Sequence, residues 1–183
     1  MSQVDLNQLR QVVLQNQQRG QALPQRPEQK VMVDPAGRIK LGHQTHPAEQ
    51  RQLSQVHQGT FAWGFGRRAQ EAETVRNKMP TNTTVLTVGG VSGYFYRFVN
   101  EFGNPFALFA YCAGGEYQVL VVSPEVEQQN RDPHKTHLYP DGTICFGSPM
   151  RTLEEAWSKS VLWANGFTTF QRTGRFQFSL NNL

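Results

Sequence analysis

The sequence predicts an α+β protein in which a four-stranded antiparallel meander packs on helices and follows an N-terminal extension. Between Thr84 and Ser123, four consecutive segments are rich in β-branched and aromatic residues. Short glycine-containing turns join these segments, and such turns favour antiparallel pairing of successive strands. A helical pattern that begins near Thr152 carries an apolar stripe, which needs a sheet face to cover it.

The N-terminal extension, residues 1–60, is predicted to contain a helix and a hairpin. Apolar residues recur at helical spacing in residues 5–18, which predicts an amphipathic helix. Residues 30–41 predict a hairpin, because the strand-like runs KVMV and RIKL flank the turn DPAG. Residues 20–30 and 43–58 are polar, so we expect the extension to bury little surface against the rest of the chain and these two stretches to be mobile or to dock on a partner.

The second predicted unit, residues 61–183, contains the meander between two helices. A short helix is expected at residues 67–78. The four strand-like runs are VLTV, GYFYRFVN, FALFAYC and YQVLVVS, separated by Gly-Gly, EFGNP and AGGE. The capping-box pattern TLEE (152–155) begins the following helix, and Gly174 is expected to end it. The run RFQFSL near the C-terminal end predicts a last short strand.

Composition and charge argue against several classes of protein. There are 18 basic and 14 acidic residues but no block of Lys or Arg, so nucleic-acid binding is not expected. No run of about eighteen apolar residues could span a membrane, and the first residues lack the pattern of a signal peptide. Two cysteines, Cys112 and Cys145, cannot build a disulfide scaffold. The expected compartment is a reducing cytoplasm, where both thiols stay free.

Cys145 ends the segment HLYPDGTIC and comes directly after a Pro-Asp-Gly turn. A cysteine in an aromatic-rich domain is more often buried than reactive, and Cys112, at the end of an apolar strand, fits that interpretation. The turn and the nearby His137 favour reactivity for Cys145. A thiolate is a good nucleophile toward a thioester and a good leaving group toward an amine, so cysteine suits a relay of acyl groups.

The residues around Cys145 have distinct predicted roles. Asp141 is predicted to form the turn, and Gly142 to let another backbone approach closely. His137 could donate a hydrogen bond to a developing oxyanion or deprotonate an incoming amine. His134 and His137 lie three positions apart, but no second ligand pair follows at zinc spacing, so neither a metal nor another cofactor is expected.

The segments HLYPDGTICFG and WSKSVLWANGF resemble the active-site region of ubiquitin-conjugating enzymes. In that family a Tyr-Pro-Asx-Gly turn leads into Ile-Cys-Leu, and a helix with a Trp and Val-Leu follows. The residues from Tyr139 to Cys145 match this turn with conservative changes, and the resemblance covers residues 84–173, about half of the chain. Where the family has an asparagine, eight residues before the cysteine, this chain has His137. That replacement resembles divergent bacterial members found beside ubiquitin-like activation genes.

This resemblance implies the fold of ubiquitin-conjugating enzymes (UBC fold) and the function of an acyl carrier. Cys145 would receive a ubiquitin-like modifier from an activating, adenylating enzyme, hold it as a thioester, and pass it to an amine of an acceptor protein. Tyr139, Asp141 and Gly142 would support the turn, and His137 would assist. Two alternatives stay open. One is a non-catalytic module of the same fold that binds a ubiquitin-like protein, and the other is a hydrolase that uses Cys145 and His137.

Overall fold

The computed structural model describes residues 4–18, 29–34, 38–42 and 65–177. The chain in these ranges contains three α-helices, six strands and a single-turn 3-10 helix, so the predicted α+β class is confirmed. The helices are α1 (Leu6–Gln18), α2 (Phe65–Asn77) and α3 (Leu153–Thr173), the 3-10 helix is Gln128–Asn130, and the strands are β1 (Gln29–Val33), β2 (Ile39–Leu41), β3 (Thr84–Val88), β4 (Val91–Val99), β5 (Pro105–Ala113) and β6 (Glu116–Ser123).

All six described strands belong to one mixed sheet. Strands β3 to β6 pair antiparallel with their neighbours in chain order. Strands β1 and β2 form the predicted hairpin. β1 also pairs in parallel with the end of β4, through Gln29↔Phe98 and Lys30↔Val99. The four predicted strands pair as expected, but the sheet has six strands and is mixed, because the hairpin of the extension adds to the half of β4 that β3 leaves unpaired.

Strand β5 is buried on both faces, which explains its continuous apolar sequence. Side chains alternate between the two faces of a strand. Leu108 and Ala110 belong to one hydrophobic core, and Phe109 and Tyr111 belong to a second. A sheet that is apolar on both faces needs a cover on each side. Helices α3 and α1 provide these two covers.

Helix α3 covers the first face with a layer of aromatic rings. Trp157 lies edge-on to Tyr96 and Phe98, with ring centroids 5.1 and 5.4 Å apart. Trp163 lies edge-on to Phe106 at 6.1 Å. Edge-to-face contacts at these distances add to the stabilisation from apolar burial. The helix thus meets the sheet as the apolar stripe in its sequence predicts.

Both ends of α3 have the caps that the sequence predicts. The Thr152 hydroxyl accepts a hydrogen bond from the Glu155 amide at 3.1 Å, and the Glu155 carboxylate accepts one from the Thr152 amide. Gly174 ends the helix in the left-handed conformation with φ 72°. Such caps satisfy backbone groups that have no partner within the helix. They hold the start of α3 directly after the loop that contains Cys145.

Helix α1 covers the second face, so the prediction that the whole extension buries little surface is wrong for this segment. Val4, Leu6, Leu9 and Val13 are buried there with residues of the sheet, including Phe95. The spacing of Leu6, Leu9 and Val13 puts them on one side of α1, and Val4 lies just before the helix. The extension contains few apolar residues, but α1 and the residue Val4 before it concentrate four of them where the sheet needs a cover.

Several predictions fall wholly or largely outside the described residues. These are the boundary at residue 60, the polar residues 20–28 and the glutamine-rich residues 43–58. The predicted last strand, residues 175–180, is described only to residue 177, and residues 175–177 are not in a strand. Among the helices of the described ranges, none is long and apolar enough to cross a membrane.

Replacing Leu9 by alanine should lower the free energy of unfolding by about 2–5 kcal/mol, the usual cost of truncating a buried leucine. Leu9 is fully buried, whereas Leu14 on the same helix is 56% exposed. The matched Leu14→Ala variant should change the free energy of unfolding by no more than about 0.5 kcal/mol. Urea titration followed by tryptophan fluorescence measures both, and equal losses would contradict the described packing of α1.

Candidate active site around Cys145

The segment that contains Cys145 runs along the outer edge of β6. The Val121 amide donates a hydrogen bond to the Gly142 carbonyl at 3.0 Å, and the Ile144 amide donates to the Val119 carbonyl at 2.9 Å. These bonds occupy the edge of the sheet, which would otherwise present unpaired backbone groups. They also hold the cysteine in a fixed register against a buried strand.

The Pro-Asp-Gly sequence forms a tight turn just before Cys145. The Gly142 amide donates to the Tyr139 carbonyl at 2.9 Å, and the Tyr139 amide donates to the Thr143 carbonyl at 2.8 Å. Asp141 stabilises the turn, because its Oδ1 accepts a hydrogen bond from the Thr143 amide at 2.9 Å. Gly142 has φ 89°, a conformation that side-chain-bearing residues rarely adopt.

The Cys145 thiol is partly exposed and hydrogen-bonded to a tyrosine. Its Sγ donates to the Tyr139 hydroxyl at 3.3 Å, and Tyr139 is 42% exposed. The hydrogen bond with Cys145 raises the pKa of Tyr139, and the charge of the nearby thiol group raises it further. Tyr139 therefore keeps its proton at neutral pH and can donate it once the sulfur is acylated. The sequence indicated Tyr139 only as support for the turn.

His137 lies beside Cys145 in an unusual backbone conformation. Its φ is 50°, which is uncommon outside glycine, and its carbonyl accepts a hydrogen bond from the Cys145 amide at 2.8 Å. Burial lowers the pKa of His137, a hydrogen bond with the Cys145 backbone raises it, and nearby His134 lowers it. The net decrease keeps the imidazole neutral at pH 7, the form that can accept a proton.

Helix α3 and the residues after it hold the loop that carries His137. The Trp163 indole donates to the Thr136 carbonyl at 2.8 Å. The Phe176 ring packs against the His137 imidazole, with centroids 4.8 Å apart. The first contact holds Thr136, directly before His137, and the second packs on the His137 ring itself. Sequence reasoning missed both contacts, because neither Trp163 nor Phe176 is close to His137 along the chain.

Arg131 holds the turn from the side of the preceding loop. Its Nη1 donates to the Pro140 carbonyl at 2.9 Å, and its Nε donates to the Val126 carbonyl at 3.0 Å. A guanidinium with donors in fixed directions can join two backbone segments in this way. Arg131 therefore connects the turn before Cys145 to the end of the sheet, a role that no motif in the sequence indicates.

The space beside Gly142 is filled by helix α1. A Cβ atom at this position would lie 2.7 Å from Cδ2 of Leu6, closer than carbon atoms approach. We expected Gly142 to leave room for another backbone. Within the described residues the neighbour is a leucine side chain, because α1 covers this end of the sheet as well as its middle.

Cys112 lies apart from this site, at the edge of the core formed by α3 and the sheet. It is partly exposed, and its Sγ accepts a hydrogen bond from Arg67 Nη1 at 3.0 Å. The sequence assigned it to the core. Cys112 and Ala113, the last two residues of β5, are partly exposed, whereas the middle of the strand is buried.

The chemistry available around Cys145 is that of a thiol, a phenol and an imidazole. In the described part of the chain, no group of three or more His, Cys, Asp or Glu side chains is placed to hold a metal ion. Comparison of the chain with protein-family models, with curated proteins and with solved structures finds no match. The functional interpretation therefore depends on the geometry of this site and on the resemblance of its sequence.

Replacing Gly142 by alanine should destabilise the protein more than replacing Gly115. Both glycines have φ close to 90°, but an added Cβ meets nothing within 4 Å at Gly115 and meets Leu6 at Gly142. Gly115→Ala should cost about 1–2 kcal/mol from backbone strain, and Gly142→Ala a further 1–3 kcal/mol, roughly, from overlap. Urea titrations measure the difference, and equal losses would show that Leu6 does not occupy this space.

The lowered pKa of His137 should make stability fall on acidification. Because its pKa in the folded protein lies below the ordinary 6.5, protonation favours the unfolded chain. The stability from neutral His137 is complete above pH 6.5 and is lost as the pH falls through the lowered pKa. His137→Asn, which tolerates positive φ, should reduce the loss of unfolding free energy between about pH 7 and pH 5. The exposed control His134→Asn should reduce it much less, because the charge of His134 lowers the pKa of His137 less than burial does.

Proposed function

We propose that this protein is a ubiquitin-like protein conjugating enzyme that carries its modifier as a thioester on Cys145 and passes it to an amine of an acceptor protein. The observation that carries this proposal is the partly exposed Cys145 thiol, hydrogen-bonded to Tyr139 at the end of a turn that bonds to the sheet edge. The resemblance of HLYPDGTICFG to ubiquitin-conjugating enzymes supplies the class of substrate.

The order of the elements is consistent with this assignment. Strands β3 to β6 pair antiparallel in succession, the cysteine segment follows them, and α3 comes next. This is the order of the UBC fold that the resemblance implies. The hairpin of β1 and β2 and the helix α1 would then be additions to that fold.

Loading begins when the Cys145 thiolate attacks the carbonyl carbon of the modifier's C-terminal thioester on the activating enzyme. The new carbon–sulfur bond forms, the bond to the activating enzyme's cysteine breaks, and the departing sulfur takes up a proton. One thioester replaces another, so the step needs little driving force. The Cys145 thiol is hydrogen-bonded to Tyr139, so the proton that Cys145 loses passes to solvent and loading does not require His137.

Transfer begins when the acceptor's amine attacks the thioester carbonyl carbon. The carbonyl oxygen becomes an oxyanion, and the Tyr139 hydroxyl, which lies 3.3 Å from the sulfur and no longer accepts a thiol proton, would donate a hydrogen bond to it. Loss of one such donor typically reduces the rate about 10²–10³-fold. The amine proton passes to His137, an amide bond forms, and the bond to Cys145 breaks to regenerate the thiol.

The geometry favours a carrier over the two alternatives. A Cys-His hydrolase needs an imidazole that hydrogen-bonds the thiol and is itself oriented by a polar group. Here, among the described residues, the thiol bonds to Tyr139, whereas the His137 ring hydrogen-bonds the backbone of Cys145 and packs against Phe176. A non-catalytic module has no need of an accessible thiol, whereas Cys145 is partly exposed.

The decisive experiment incubates the full chain with ATP, a candidate activating enzyme and its ubiquitin-like protein, and resolves the products on a non-reducing gel. We expect an adduct that a thiol reagent removes. Cys145→Ser should give a more stable oxyester, and Cys145→Ala should give none. The matched control Cys112→Ala should load normally. Loading that survives Cys145→Ala would exclude the carrier function, and binding without any adduct would support the non-catalytic module.

His137 should act mainly in the transfer step. In the same assay, His137→Ala should still load but release the modifier to an added amine more slowly, because the amine loses its proton acceptor. Single-turnover discharge of the preloaded variant measures this rate. His134→Ala, the neighbouring exposed histidine, serves as the control, and equal discharge rates for the two variants would remove His137 from the mechanism.

A further inference from the structure

We infer that helix α1 positions the Cys145 turn, with Leu6 as the positioning residue that holds it through Gly142. The inference rests on the proposed function only in taking Cys145 as the reacting thiol. Helix α1 belongs to the N-terminal extension, for which the resemblance to conjugating enzymes implies no role.

The contact between α1 and the turn is so close that it leaves no room for a side chain at position 142. Leu6 is 8% exposed, and its Cδ2 lies 2.7 Å from the position that a Cβ of Gly142 would occupy. The leucine side chain therefore rests on the backbone of the turn. Among the described residues outside the turn, the other atom within 4 Å of that position is Cγ of Leu6, at 3.9 Å. Leu6 is the α1 residue that meets the turn there.

A second contact, through Tyr111 of β5, links the residue before α1 to the turn. Tyr111 of β5 is buried among the residues that α1 covers. Burial raises the pKa of Tyr111, a hydrogen bond with the backbone of Val4 lowers it, and the charge of Asp141 raises it. Tyr111 thus interacts with Val4, just before α1, and with the charge of Asp141, inside the turn. The helix and the turn share this anchor on β5.

The turn transmits a displacement of Gly142 to the thiol. The Gly142 amide bonds to the Tyr139 carbonyl, and the Tyr139 hydroxyl bonds to Cys145 Sγ. After the turn, Thr143 forms an antiparallel β-bridge with Leu120 of β6, which is buried in the same cluster as Leu6. Removing Leu6 leaves this side of the turn unsupported, while β6 still holds the other side. The turn would then tilt and the Tyr139 hydroxyl would leave the sulfur.

The test measures the reactivity of Cys145 directly and needs no conjugation partner. The parent protein carries Cys112→Ala, so that iodoacetamide alkylates Cys145. The second-order rate constant of this alkylation is measured for the parent and for the same protein with Tyr139→Phe. Losing the hydrogen bond to sulfur should change the rate by a factor of about 2–10. Adding Leu6→Ala should bring this factor close to one, because Tyr139 no longer reaches the thiol. Leu6→Met, which retains a long apolar side chain, should restore it.

The matched control is Leu9→Ala. Leu9 is fully buried in the same cluster but does not come within 4 Å of the Gly142 Cβ position. In the Leu9→Ala variant, Tyr139→Phe should therefore still change the alkylation rate by the full factor. Should Leu6→Ala not fold, Leu6→Val removes the same Cδ atoms with less loss of packing. The inference is overturned if Leu6→Ala keeps the full factor, if Leu9→Ala loses it equally, or if Tyr139→Phe has no effect in the parent. Failure of thioester formation would leave these alkylation results unchanged, so the two proposals fail independently.

Discussion

The burial of β5 on both faces is the constraint on which the rest of the structure depends. Its side chains alternate between two hydrophobic cores, so each face needs its own cover. Helix α3 covers one face with Trp157 and Trp163, and helix α1 covers the other with Leu6 and Leu9. Apolar burial at about 25 cal/mol per Å² then stabilises both helices against the same strand.

The same arrangement determines where the cysteine lies. Beside β5, strand β6 forms the edge of the sheet, and the segment from Gly142 onward bonds to that edge. The two helices meet this segment from opposite sides, through Leu6 on the turn and Trp163 on the preceding loop. A partly exposed thiol is thereby attached to buried, well-packed elements. Holding reactive groups on rigid elements is how proteins keep the geometry that catalysis requires.

The side chain of His137 is separate from the framework that holds Cys145. The turn around Cys145 is supported by backbone hydrogen bonds and by Asp141, which do not depend on residue 137. A histidine at this position adds a titratable group whose pKa burial lowers. A neutral imidazole can accept a proton, which a side-chain amide cannot, so His137 brings proton-transfer chemistry close to the thiol.

Local patterns in the sequence determined the α+β class, the strands β3 to β6, the caps of α3 and the turn before Cys145, because each depends on residues near one another in the chain. Only the tertiary structure decided that β1 joins the sheet beside β4 and that Leu6 fills the space at Gly142. It also decided that Tyr139 bonds to the thiol and that Phe176 packs on His137. These contacts depend on how separate elements pack around the sheet. Short-range sequence patterns do not predict that packing.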